Sequence, residues 1–153
     1  MRQQTDFRKK GHKKENNEEN AKVLELKNYI ISKIATALDA EKDKEGKELI
    51  KIADKTGELL KEKDVTTTKI RKIFNEVRNI KPDDDEADNC FFKTVMLKSK
   101  MAYAAGRFKE LKDFYEIMVL FIDNINGDTS KLKRFKQFFE AVVAYNRYYS
   151  EKE

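Results

Sequence analysis

From about residue 20 onward, apolar residues recur every three or four positions, and polar turns divide the chain into helix-length segments. The first helix is expected over about 20–39, with Val23, Leu26, Ile30, Ile34 and Ala37 on one face. The second, about 45–62, aligns Leu49, Ile52, Ala53, Thr56, Leu59 and Leu60. Gly57 stands inside it, where glycine weakens a helix by about 1 kcal/mol relative to alanine. Thr66, Thr67 and Thr68 can supply a hydroxyl to the free N–H groups opening a third helix. Its stripe is Ile70, Ile73, Phe74, Val77 and Ile80, and Pro82 ends it.

The next stretch, FFKTVMLKSKMAYAAGR (Phe91 to Arg107), is apolar almost all the way round at about 100° per residue. Such a helix is expected to be covered on several sides. Its one cationic line is Lys93, Lys100 and Arg107, spaced i, i+7, i+14, and Gly106 offers an end to it. A fifth helix, about 108–126, faces inward with Leu111, Phe114, Tyr115, Met118, Phe121, Ile122 and Ile125. After Asn126-Gly127-Asp128, a last helix capped by Thr129 or Ser130 buries Leu132, Phe135, Phe138, Phe139, Val142 and Tyr149. Asn146 points the same way and needs a hydrogen-bond partner. No segment alternates with period 2 for long enough to form a strand. The expected fold class is all-α: a compact bundle of five or six helices in one domain over 20–150, behind a disordered polar tail over 1–19.

Composition agrees with that pattern, since 39% hydrophobic and 40% charged residues with a single proline suit a helical protein of few tight turns. A net charge of +5 permits anionic partners without demanding them. No apolar run is long enough to span a membrane and the N-terminus has no apolar core of a secretory signal, so a cytoplasmic location is expected. The lone Cys90 fits a reducing compartment. His12, the only histidine, lies in the tail, so no histidine-based acid–base pair or zinc cluster can be assembled. The acidic run Asp83, Asp84, Asp85, Glu86 and Asp88 lacks the glycine and closing glutamate of a calcium loop, because Asp88 and Thr94 stand in those positions. No phosphate-binding glycine motif is present. These residues argue for no enzyme, no metal and no cofactor; they suit a binding protein.

The basic residues admit two readings. Lys93, Lys100 and Arg107 either keep one helix face soluble or form a line of phosphate contacts. Arg71 and Arg78, seven apart and beside Asn75 and Thr68, are either a solvated flank or a phosphate–sugar surface. Arg134, Ala141, Tyr145 and Tyr148 share a second face of the last helix, better suited to a protein interface than to stacking on bases.

Three stretches carry a resemblance: VTTTKIRKIFNEV (Val65 to Val77), KSKMAYAAGR (Lys98 to Arg107) and KRFKQFFEAVVAYNRYY (Lys133 to Tyr149). In this order they resemble the second subunit of the Csm complex, the small subunit of type III-A CRISPR–Cas effectors, over about 64–149. Residues 1–63 match only loosely, and Asn146 stands where many relatives have histidine.

The resemblance implies a non-catalytic helical bundle that stacks in several copies inside a ribonucleoprotein. It implies contact with the backbone of a guide–target RNA duplex, with neighbouring copies and with other Csm subunits. The basic residues it brings forward for RNA are Lys69, Arg71, Lys72, Arg78, Lys98, Lys100, Arg107, Arg134 and Arg147. Two alternatives stand beside it. One is a helical scaffold with protein contacts alone; the other is a helical DNA-binding regulator, which the long loop before Asp88 fits poorly. Deleting residues 1–19 is expected to leave the thermal midpoint almost unchanged in a circular dichroism melt. Loss of cooperative unfolding would show instead that the segment packs.

Overall fold

A computed structural model describes the backbone of residues 2–84 and 86–151 and the side chains of 18–84 and 86–150. The chain runs through α1 (Arg2–Leu38), α2 (Lys47–Glu62), α3 (Thr67–Arg78) and α4 (Ala87–Arg107). A short 3-10 turn (Lys109–Leu111) then leads into α5 (Lys112–Ile125) and α6 (Thr129–Glu151). Strands are absent among the described residues. The tail expected over 1–19 falls almost wholly outside the described side chains, and the first buried side chain of α1 is Val23.

The anticipated stripes supply most of the core, although Ile73, Phe74, Tyr115 and Tyr149 are only half-buried and Ile117, outside the expected stripe, is fully buried. Val23, Leu26, Ile30, Ile34 and Ala37 of α1 are buried against α2 and α5, and the six inward residues of α2 against α6 and α1. The most extensive pairing joins α2 to α6, while α3 lies on α6 and α4 leans mainly on α5. Rings lock three of these helices together. Phe139 of α6 stacks on Phe74 of α3 at 5.8 Å and meets Phe114 of α5 edge-on at 5.7 Å. Phe121 and Phe138 stack at 4.1 Å. Offset and edge-on pairs of this kind add about 1 kcal/mol each beyond the area they bury.

Helix ends follow local chemistry. Thr66 caps α3 as anticipated, its hydroxyl oxygen accepting from the Lys69 N–H at 3.4 Å. The cap of α6 is Asp128, one residue ahead of the two hydroxyls expected there, with its carboxylate accepting from Lys131 N–H at 3.2 Å. A carboxylate at this position also meets the positive end of the helix dipole. Asn126 and Gly127 precede it in left-handed conformations. Gly106 does not end α4, which runs on to Arg107.

Three features depart from the sequence pattern. Only Cys90, Thr94, Leu97 and Met101 of α4 are buried, whereas Phe92, Val95, Met96 and Tyr103 are exposed. The helix sits at the edge of the bundle with one covered face, so its apolar girth is surface and not core. Secondly, Asn146 is fully buried, yet neither its Nδ2 nor its Oδ1 has a protein partner. Its backbone nitrogen lies against Gly57, at the crossing of α2 and α6.

Gly57 is the third. A Cβ built there would lie 2.6 Å from Tyr145 Cβ and 2.9 Å from the Asn146 nitrogen. The glycine that weakens α2 in isolation is what lets α6 approach it. Gly57→Ala is therefore expected to destabilise the protein by about 1–3 kcal/mol through overpacking, despite alanine's better helix propensity. Denaturant unfolding measures this; a stabilised variant would show that the two helices part without cost.

Candidate nucleic-acid interface

Phe74 fixes how α3 presents itself. With Ile70, Phe74 and Val77 turned to the bundle, Arg71, Asn75 and Arg78 form an exposed crest along the flank of that stripe. Arg71 and Lys72 make no hydrogen bond or ion pair among the described residues. The Arg78 guanidinium lies 5.8 Å from the centre of its neighbour Phe74. At the start of α3, Phe108 is flanked by two cations: Lys69 Nζ at 4.0 Å and the Arg107 guanidinium at 5.1 Å from its ring centre. The ring quadrupole holds both cations, and the exposed Arg107 remains open to an outside anion.

Two grooves border this crest. On the α4 side it faces Lys72, Glu76, Lys93 and Lys100, with Lys100 Nζ 2.6 Å from Glu76 Oε2 across the gap. On the α6 side a cleft of about 590 Å³ gathers Arg78, Lys133 and Lys136 with Asp83 and Glu140. Lys133 pairs with Asp83 at 2.8 Å, which holds the Asp83 carboxyl below the usual range. Lys136 donates to the Ile80 carbonyl beyond the end of α3, and burial pushes its ammonium pKa down. Lys133 and Lys136 were missed in the sequence, although both stand beside Arg134 in the third motif. Only the helix faces separate them, because Lys133, Gln137, Glu140 and Arg147 share one exposed side of α6.

The nine basic residues singled out in the sequence thus divide. Lys69, Arg71, Lys72, Arg78, Lys100 and Arg107 gather on α3 and the facing part of α4. Lys69 is also paired with Glu110 at 2.6 Å, which keeps the Glu110 carboxyl low. Arg147 is exposed on α6. Lys98 turns away towards α5, where it pairs with Asp123.

Arg134 lies in the interior. Its Nε donates to the Ala37 carbonyl at 2.7 Å, and its Nη2 to the Asp43 carbonyl at 3.0 Å and to Asp43 Oδ2 at 2.8 Å. Asp43 in turn accepts from the Glu48 and Leu49 N–H groups, both at 3.0 Å. One buried pair therefore closes the end of α1 and the start of α2, with each charge matched to the helix dipole it meets. A motif position cannot reveal this, since Arg134 and Asp43 are 91 residues apart.

Among the described residues, no three His, Cys, Asp or Glu side chains are placed to hold a metal ion, and no helix is long and apolar enough to cross a membrane. The fold and its exposed cations define a small all-helical bundle with a basic crest. Residues 43–152 match the family described as Csm2 Type III-A, and the chain belongs to that family, the small subunit of the type III-A CRISPR–Cas Csm complex. The match begins at the residue that caps α2, well ahead of the stretch at 64 where the motif resemblance starts. No curated protein and no solved structure matches the chain.

Because Arg134 and Asp43 are both nearly buried, Arg134→Ala leaves an unpaired carboxylate inside the fold and is expected to cost about 3–5 kcal/mol. Arg134→Lys recovers only part of this, lacking the second donor direction. Chemical denaturation checks the loss. RNA titration of the folded fraction should show an unchanged salt slope, and a reduced slope would place Arg134 among the RNA contacts.

Proposed function

We propose that the chain is a non-catalytic subunit that neutralises the backbone of a guide–target RNA duplex, copy after copy along the Csm complex. The observation that carries this reading is the group Arg71, Lys72, Arg78 and Arg107: exposed cations with no ion pair among the described residues, spread along one helix and the adjoining end of another. A helix of 12 residues is about 18 Å long, enough to meet several successive phosphates. Guide pairing supplies sequence specificity, which the crest need not add. Each copy binds weakly, and stacking turns weak contacts into a tight array. The exposed Tyr148 near the end of α6 supports that copy-to-copy contact. Lys69 and Lys100 add to the field of the crest, but each is already paired with a glutamate and contributes less. Nothing in the crest calls for a cofactor, and the location consistent with this role is the cytoplasm.

Reversing Arg71→Glu with Arg78→Glu is expected to weaken RNA binding for every sequence alike. The slope of log K against log salt should fall by about 0.7–0.9 for each phosphate that is no longer neutralised. Stability should change by less than about 1 kcal/mol, as is usual for exposed charges. Lys98→Glu, on the α5 side, should leave the slope unchanged. RNA titration over a range of salt, with melts of the same samples, makes the measurement; an unchanged slope in the folded double variant would favour the scaffold reading.

A further inference from the structure

The groove between α3 and α4 contains more than charge. Near the end of α4 it opens into a cleft of about 490 Å³ with a floor of Ile73, Leu97 and Met101. Lys72 and Lys100 stand on its rim, and Tyr103, 74% exposed, forms a wall. A second cleft of about 360 Å³ repeats the arrangement, with Phe92 as the aromatic, 65% exposed, between Lys93 and Lys100. Phe92 and Tyr103 are eleven residues apart on one helix, so they return to nearly the same side about 16 Å apart.

We propose that this groove takes a single-stranded stretch of RNA, with phosphates on the lysines and unpaired bases laid on Tyr103 and Phe92. The proposal rests on the RNA-backbone reading above and extends it from the duplex to unpaired nucleotides. Exposed aromatic faces interleaved with cations are the physical requirement for such binding, because every base has a π-face while the charge is uniform along the strand.

The alternative occupant is an apolar helix of a protein, and the ion pair in the groove weighs against it. Lys100 and Glu76, both about half exposed, bridge the two clefts at 2.6 Å. A helix laid along the groove would strip water from this pair and from Lys72 without supplying compensating charge. A phosphate strand instead brings compensating negative charge to Lys72 and Lys100.

The test compares a short oligouridylate with an abasic sugar–phosphate oligomer of equal length and charge, using fluorescence anisotropy on the full chain. The wild type is expected to bind the oligouridylate roughly fivefold to a hundredfold more tightly. Tyr103→Ala together with Phe92→Ala should erase most of that difference, whereas Tyr103→Phe should keep it. Lys72→Glu should weaken both probes equally, since it removes charge and no stacking surface. Equal affinity of the wild type for the two probes would overturn the stacking proposal while leaving backbone binding intact. Failure of the wild type to bind either probe would overturn both readings. If the double alanine variant keeps the difference but shifts the oligomeric state measured by light scattering, the face belongs to a protein contact and the proposal falls.

Discussion

The packing of Phe139 governs what the rest of the molecule can present. This one ring touches α3 through Phe74, α5 through Phe114, and Phe135 one turn earlier on its own helix. A 12-residue helix is too short to hold its shape alone, so α3 owes its existence to this face. With Phe74 committed to the bundle, Arg71, Asn75 and Arg78 fall on the flank of the buried stripe, which the other helices leave exposed. The basic crest runs beside an aromatic anchor, with the Arg78 guanidinium 5.8 Å from the Phe74 ring.

A different constraint holds the first two helices. α2 begins at a left-handed Gly46 that has no side chain for a cap, and Asp43 reaches forward to serve in its place. A buried carboxylate needs a counter-charge, and Arg134 supplies it from α6 while closing the end of α1. On the same α6, Gly57 of α2 admits the backbone around Asn146. α6 is therefore the spine of the bundle, tied to α1 and α2 by a charge pair and close packing, and to α3 and α5 by rings.

These two arrangements separate the cations by role. Arg134 has its donors directed to acceptors inside the fold, whereas Arg71 and Lys72 have none among the described residues. Lys69, Lys98 and Lys100 lie between the extremes, exposed enough to be screened and paired enough to be partly neutralised. A basic residue is available to a polyanion in proportion to what its own chain leaves unsatisfied. That distinction also explains why a modest net charge of +5 is compatible with a concentrated patch.

Periodicity alone determined much of this protein. The stripes of α1, α2, α5 and α6, the Thr66 cap and the break at Asn126-Gly127 were legible because each depends on residues within a few positions of one another. The family motifs were legible for the same reason, as short runs in a set order, and they brought most of the crest residues forward. What escaped was every feature made by residues far apart in the chain. Arg134 reads as a surface cation until Asp43 and Ala37 are placed beside it. Gly57 reads as a weak point until α6 crosses it. Phe92 and Tyr103 read as core because a helical wheel counts apolar residues without knowing how many neighbours will cover them. Local sequence sets the period of a helix and its ends; only the packing of the other helices decides which sides of it meet water.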